Sequence, residues 1–152
     1  MGESMSAEYT NFLRNKIRLA DFAGYDVDES EINPILKPHQ RAIVKWAVRG
    51  GCRAIFAAFG LGKSVMQIET LRLVQSRAGG NVLVCAPLGV RQEFRRDGMM
   101  LGVEFKFIRS ADEMDDQHTF YLTNYESIRD GKLDPNIFCA VSLDEASVLR
   151  SY

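Results

Sequence analysis

The sequence predicts an α/β fold with a mainly parallel sheet of about five strands, flanked by helices and preceded by an N-terminal helical appendage. Short, nearly uninterrupted apolar segments alternate with segments of helical periodicity, as a parallel sheet covered on both faces requires. The chain has 152 residues, of which 46% are hydrophobic and 26% charged. This size and composition are typical of one globular domain and exclude a disordered tail or a coiled coil.

The N-terminal part is predicted to be separate from the sheet. Residues 6–20 repeat apolar side chains at helical spacing behind a possible cap at Ser6, which predicts a helix. A polar stretch with acidic residues between Asp26 and Glu31 follows, and we interpret it as a linker. We therefore divide the chain into a helix with an acidic linker at 1–32 and an α/β lobe at 33–152.

A second helix is predicted to begin within L-K-P-H-Q at 36–40, because proline suits the first turn of a helix. One of its faces is apolar and another carries a basic residue every four positions, namely Arg41, Lys45 and Arg49. Such a basic stripe is more often solvated surface than a phosphate contact, and both interpretations stay open here.

The remaining elements follow from the alternation of apolar and amphipathic segments. Strands are predicted at 53–58, 81–86, 104–108, 119–123 and 138–143, and helices at about 63–77, 89–97 and 124–130. A second acidic cluster, between Asp112 and Asp116, is interpreted as a solvated loop, with a metal site as the alternative.

Charge and cysteine usage exclude several classes of protein. The formal net charge is −1, so only a local basic patch could bind nucleic acid. No apolar run approaches the ~18 residues of a membrane span, so we expect no membrane partner. Cys52, Cys85 and Cys139 are far apart and lack metal-ligand spacing, which predicts reduced, buried core thiols in a cytosolic protein.

Residues 57–64, A-A-F-G-L-G-K-S, match the phosphate-binding loop pattern, with Ala57 in its first glycine position. The segment follows a predicted strand and enters a predicted helix, which is the junction that this loop requires. Gly60, Leu61 and Gly62 would turn the backbone so that successive N–H groups face phosphate oxygens at the helix N-terminus. The alternative is a glycine-rich turn with a surface lysine.

The two residues after the glycines fit the chemistry of bound ATP and Mg²⁺. Lys63 would place a compact positive charge on the β- and γ-phosphates, and the Ser64 hydroxyl would coordinate Mg²⁺. A P-loop ATPase also needs a carboxylate on the metal and a group that positions the attacking water. Both are candidates at the end of the last predicted strand, where Asp144 would hold Mg²⁺ and Glu145 would accept the proton of that water.

Together these elements resemble the first RecA-like lobe of superfamily 2 helicases and translocases, most closely phage and bacterial DEAD/DEAH-type proteins related to Swi/Snf-type ATPases. The segment 36–40 resembles the adenine-reading motif of that family, which implies that Gln40 contacts the base. G-L-G-K-S and D-E-A-S resemble the family's G-L-G-K-T and D-E-A-H. The last position, Ser147, departs from the family histidine that couples the nucleotide site to the nucleic-acid site.

The resemblance also implies a nucleic-acid partner, with DNA favoured over RNA. V-L-V-C-A-P-L at 82–88 and L-T-N-Y-E at 122–126 resemble the two family motifs whose residues contact the strand backbone. Arg91, Thr123 and Asn124 are the candidate contacts, while Tyr125 fits the core equally well. A location in the cytoplasm of a bacterium or of a phage-infected cell is implied in the same way.

In this family, the next motif is a strand that lies between the phosphate-loop strand and the Asp-Glu strand, and a second RecA-like lobe supplies catalytic arginines. Neither follows Asp144 before the sequence ends at Tyr152. We therefore expect a second lobe, another chain or a second copy of this chain to complete the fold. Weak hydrolysis and oligomerisation or instability of the isolated chain are the expected consequences.

The leading hypothesis is an ATP-binding lobe of a nucleic-acid-dependent helicase or translocase ATPase. The alternative is a non-enzymatic, truncated helicase lobe that acts as a decoy, an inhibitor or an assembly partner of another protein complex. A small-molecule P-loop kinase is a third class, but it leaves the motifs at 36–40 and 86–88 unexplained.

Overall fold

The computed structural model describes residues 23–58 and 60–146; the helix expected at 6–20, Phe59 and Ser147 lie outside the described residues. Within them, four parallel strands form one sheet in the order β2-β3-β1-β4. The strands are β1 (Val82–Cys85), β2 (Phe105–Phe107), β3 (Phe120–Thr123) and β4 (Ala140–Leu143). The helices are α1 (Pro38–Gly50), α2 (Lys63–Ala78), α3 (Arg91–Met100) and α4 (Tyr125–Arg129). The prediction of an α/β fold with a parallel sheet is confirmed.

Local chemistry explains where the two longest helices begin and end. Pro38 occupies the first turn of α1, and Gly51, at φ 73°, ends that helix with its N–H donating to the carbonyls of Ala47 and Val48. Helix α2 begins directly after the glycines of the phosphate-loop segment and ends at Gly79, whose N–H donates to the Gln75 carbonyl.

The centre of the fold is β1, whose four side chains are fully buried. Because side chains alternate along a strand, Val82 and Val84 face the main core with α1, α2 and α3, while Leu83 faces a smaller cluster with Tyr121. Both faces are therefore covered at β1, and the coverage decreases towards β4, where Val141 and Leu143 are exposed.

The strand predicted at 53–58 is not formed, and this part of the fold prediction is wrong. Exposure alternates along the segment, with Ile55 and Ala57 packed on the main core and Phe56 97% exposed. A strand needs a neighbour for its ladder, and the outer edge of β4 does not reach this segment. An open groove of about 450 Å³ separates the two, lined by Arg53 and Ile55, by residues 139–142 and by α2.

The acidic stretch that was interpreted as a linker packs against the lobe. Val27 and Ile32 are buried in the main core, and the Tyr25 hydroxyl donates to the Leu73 carbonyl at 2.5 Å. The acids also neutralise the basic stripe of α1, because Glu29 pairs with Arg41 and Lys45, and Asp26 pairs with Arg49, each at 3.3 Å. This stripe is a paired surface in which each cation has a carboxylate partner.

The cysteine prediction is correct for one residue and wrong for two. Cys85 is buried in β1, where burial raises the pKa of its thiol to about 12. Cys52 and Cys139 are exposed on the walls of the open groove, because the 53–58 segment and β4 do not pair there. All three are free thiols. Across residues 23–58 and 60–146, no helix combines the length and the apolar character that crossing a membrane requires.

Glu69, a buried carboxylate of α2, pairs with Arg72 on the same helix and binds the N-terminal stretch through Asn33. Its loss should lower the stability of the fold. Glu69 is fully buried and accepts two hydrogen bonds from the Arg72 guanidinium, at 2.7 and 2.8 Å, and one from the Asn33 N–H at 2.7 Å. Removing Glu69 leaves the Asn33 N–H without its acceptor and the partly exposed Arg72 without its counter-charge. We expect Glu69→Ala to lower the free energy of unfolding by about 3 kcal/mol in urea denaturation. Glu104→Ala, at an exposed carboxylate, should change it by less than ~0.5 kcal/mol; equal effects would contradict this account.

Candidate functional site

The phosphate-loop segment forms a turn that leads directly into α2. Gly60 and Gly62 have φ values of 83° and 74°, a backbone conformation that side chains with a Cβ rarely adopt. The Leu61 N–H donates to the Ala58 carbonyl at 3.3 Å, which closes the turn. The first-turn N–H groups of α2 have no intrahelical partners, and the helix dipole adds positive potential at this end. The loop therefore has the geometry of an anion-binding site.

Gln40 reaches from α1 to the loop and holds it. Its Nε2 donates to the Leu61 carbonyl at 3.1 Å, and its Oε1 accepts from the Lys37 N–H at 2.9 Å. A Cβ at Gly62 would lie 2.6 Å from Gln40 Nε2, so this close approach requires glycine. Gln40 is buried, and these two contacts leave one donor hydrogen and one acceptor lone pair of its amide unused.

Lys63 and Ser64 occupy the first turn of α2. Lys63 is partly exposed, whereas Ser64 is buried. The Ser64 hydroxyl donates to Asp97 Oδ2 at 2.5 Å and lies 3.5 Å from Glu93 Oε1. Both carboxylates come from α3, and no sequence motif indicates either, because acids on an amphipathic helix usually face solvent.

Asp144 follows β4 at the carboxyl edge of the sheet. Its N–H donates to the Cys85 carbonyl at 2.8 Å, which continues the β1–β4 ladder by one residue. Gln67 Nε2 on α2 donates to Asp144 Oδ1 at 3.3 Å. Burial raises the pKa of the Asp144 carboxyl, opposed first by the Gln67 hydrogen bond, and the charges of Lys63 and Glu93 also act on it. The start of α2 and this carboxylate therefore lie close together.

Tyr125 contributes to this site in a way that sequence analysis left open. Its hydroxyl donates to the backbone carbonyl of Asp144 at 2.5 Å. Burial, together with the neighbouring acidic groups, raises the pKa of Tyr125 to about 12, so the phenol stays protonated and can donate. The first residue of α4 therefore fixes the backbone that carries the Asp144 carboxylate.

Glu145 is exposed and has a φ of 51°, the only non-glycine residue with a positive φ in the described ranges. Such a conformation costs about 1–3 kcal/mol and persists when the surrounding structure determines it. The strained turn directs the chain away from β4 immediately after Asp144. The side chain of the predicted proton acceptor is therefore solvent-accessible at the edge where the phosphate loop ends.

Thr123 and Asn124 are buried and bonded within the protein. The Thr123 hydroxyl donates to the Ile108 carbonyl at 2.8 Å, which links β3 to the end of β2. Asn124 caps α4, where its Oδ1 accepts from the Ser127 N–H at 3.1 Å and from the Ser127 hydroxyl at 2.6 Å. The structure thus places these two candidates beneath the surface, where they shape the edge of the sheet.

Arg91, the third nucleic-acid candidate, lies at the start of α3 beside a second arginine. The Arg91 and Arg109 guanidiniums lie 4.8 and 5.8 Å from the centroid of the Phe107 ring. Neither forms an ion pair with a carboxylate of the described chain. We call Arg91 and Arg109 the arginine pair; both guanidiniums lie over the ring of Phe107. Sequence analysis missed Arg109, although an aromatic residue with an arginine two positions later at a strand end is a usable signal.

The donor groups at the loop suit a metal that arrives with its own ligands. No group of three or more His, Cys, Asp and Glu side chains within residues 23–58 and 60–146 could hold a metal ion. Mg²⁺ at nucleotide sites takes one or two carboxylates and completes its shell with phosphates and water. The Ser64 hydroxyl and the Asp144 carboxylate are oxygen ligands of the kind that such an ion takes.

No family model matches the chain, and no curated protein matches it.

Proposed function

We propose that the chain is the ATP-binding lobe of a nucleic-acid-dependent helicase or translocase ATPase, with the RecA-like P-loop fold. One observation carries the proposal. The glycine-rich loop at the N-terminus of α2 and the carboxylate of Asp144 lie together at the carboxyl edge of a parallel sheet. That edge is where open α/β sheets bind ligands.

The proposed roles follow from the positions of the side chains. The N–H groups of the loop and the charge of Lys63 bind the phosphates of ATP, while Gln40 holds the loop and offers its remaining amide groups to adenine. Ser64 and Asp144 hold Mg²⁺, which neutralises the charge that develops on the transferring phosphate. Glu145 accepts the proton of the attacking water from its accessible position after β4.

Efficient turnover in such a site needs more than these groups. An arginine that stabilises the transferring phosphate is worth about 10³–10⁵ in rate. We propose that a second RecA-like lobe or another chain supplies it, so that this lobe hydrolyses ATP slowly by itself. The lobe would bind ATP fully and depend on its partner for catalysis.

The arginine pair is the proposed contact with nucleic acid, with DNA favoured over RNA. Arg91 and Arg109 lack carboxylate partners among the described residues, so their charges are available to phosphodiester groups. Stacking against Phe107 restrains both guanidiniums, which reduces the side-chain entropy lost on binding. Thr123 and Asn124 would support this surface from beneath rather than touch the strand.

A second candidate function is that of a non-enzymatic interaction partner, and the open groove favours it. Among the described residues, the outer edge of β4 has no neighbouring strand, and the groove beside it is lined by the exposed Val141 and by Ile55. Unpaired strand edges bind other chains by strand addition. A decoy, inhibitor or assembly partner could use this surface without any turnover of ATP.

The ATP site can be tested by calorimetry with Mg·ATP. Lys63→Ala removes the charge on the β- and γ-phosphates, so we expect ATP affinity to fall at least about 100-fold, as loss of a charge-assisted contact implies. Glu145→Gln should bind ATP normally and lose hydrolysis, since its role begins with the attacking water. Lys132→Ala is the matched control at an exposed lysine outside the loop. Unchanged ATP binding by Lys63→Ala would show that the site assignment is wrong.

The nucleic-acid surface can be tested through the salt dependence of binding to a single-stranded oligonucleotide. We expect Arg109→Ala to weaken binding and to lower the slope of log K against log salt by about 0.7, the value for one lost contact to a single strand. Arg91→Ala should behave alike. Arg49→Ala, at an arginine already paired with Asp26, should leave the slope unchanged. An equal effect of all three substitutions would indicate non-specific charge attraction.

The groove can be tested by sedimentation of the isolated chain. We expect self-association that increases with concentration, and we expect Val141→Lys to shift the protein towards monomer because the charge blocks pairing at the β4 edge. Met99→Lys, at a 75% exposed residue of α3, is the control and should not change the association. A compact, cooperatively melting wild-type monomer would contradict this expectation.

A further inference from the structure

Asp97 on α3 is a buried carboxylate that belongs to none of the sequence motifs. It is 7% exposed and directs one oxygen, Oδ2, at the Ser64 hydroxyl at 2.5 Å. Its other oxygen, Oδ1, accepts from both Nε and Nη2 of Arg96 at 3.1 Å. A buried carboxylate is unfavourable unless its oxygens are paired, and here each oxygen has a partner.

The position of Asp97 is fixed by the packing of α3 on the sheet. A Cβ at the next residue, Gly98, would lie 2.8 Å from the Phe105 side chain and 2.8 Å from the Val103 carbonyl. The helix therefore approaches β2 as closely as its backbone allows. Phe94, one turn earlier, is buried against Phe105 in an edge-to-face contact. The backbone that carries Asp97 is thus held close to the sheet.

We propose that Asp97 is a positioning residue for Mg²⁺, a role that rests on the proposed nucleotide site. A serine hydroxyl has one proton and two lone pairs. Because the proton is donated to Asp97, the lone pairs of the Ser64 oxygen would remain for a cation bound at the start of α2. The negative charge behind the hydroxyl also raises its basicity as a ligand, as carboxylates do behind metal-binding histidines.

Glu93 is the other acid of α3 near Ser64, and it serves as the comparison. Its Oε1 lies 3.5 Å from the Ser64 oxygen, at the limit of a hydrogen bond, and its side chain is exposed. Asp97 has the short contact and the burial, and Glu93 has neither. If any nearby acidic charge sufficed, substituting either residue would change Mg²⁺ affinity equally. The positioning role predicts the larger change for Asp97.

The test compares ATP affinity measured by calorimetry with Mg²⁺ and with EDTA, for the full chain. We expect Asp97→Ala to reduce the Mg²⁺-dependent gain in affinity about 10-fold or more, the usual effect of losing a group that orients a metal ligand. Affinity in EDTA should not change. Asp97→Asn keeps an acceptor for the Ser64 proton and should show a smaller loss. Glu93→Gln should show a smaller loss than Asp97→Ala, and the exposed Asp112→Asn is the control. Electron paramagnetic resonance of Mn²⁺ with ATP should show the same order of metal affinities.

A double-mutant cycle separates positioning from simple packing. Ser64→Ala removes the ligand itself, so adding Asp97→Asn to it should cause no further loss of the Mg²⁺-dependent gain. Additive losses, or a lower melting temperature with an unchanged gain, would overturn the inference and leave Asp97 as a structural tie between α2 and α3. If Asp97→Ala does not fold, the Asn variant and the cycle decide. Wild-type protein that fails to bind Mg·ATP would refute the proposed function, and the inference with it.

Discussion

The parallel pairing of β1 with β4 is the constraint on which the proposed site depends. The register places Cys85 opposite Leu143, and the next residue, Asp144, donates its N–H to the Cys85 carbonyl at 2.8 Å. Parallel strands end at the same edge of a sheet, so the carboxylate emerges beside the N-terminus of α2. Tyr125 and Gln67 then hold its backbone and side chain from two neighbouring elements. A one-residue slip of β4 would turn Asp144 to the opposite face and separate it from the loop.

The other edge of β4 has the opposite property, since no strand of the described part of the chain restrains it. The glycine-rich loop follows a segment, 53–58, that forms no strand and is held by Ile55 and Ala57 on the main core. The geometry of the loop therefore relies on Gln40, whose side-chain amide bonds to the loop at Leu61 and to the start of α1 at Lys37. A strand added in the open groove would bond both to β4 and to this segment. Nucleotide binding and occupancy of the groove would consequently stabilise the same loop from its two sides.

The sequence predicts those features that local patterns determine. β1, β3 and α2 lie within one or two residues of their predicted bounds, because apolar runs and terminal glycines are local signals. The failure at 53–58 has a physical cause: alternating apolar residues show that a strand could form, but its ladder depends on a neighbour elsewhere in the chain. The contacts of Asp97 and Tyr125 are hidden for the same reason. They reach across 33 and 19 residues, and neither belongs to a motif with fixed spacing.

Helix α3 joins the two proposed sites in one rigid body. Arg91 is its first residue and faces Phe107, while Asp97 lies six residues later and holds Ser64. At 1.5 Å per residue, these positions are only about 9 Å apart along the helix axis. Because Gly98 allows no gap between α3 and β2, the helix can shift only as a unit with the sheet edge. If nucleic-acid binding displaces α3 together with the sheet edge, the Ser64–Asp97 contact would change with it. Mg·ATP would then alter nucleic-acid affinity by the same factor, by reciprocity.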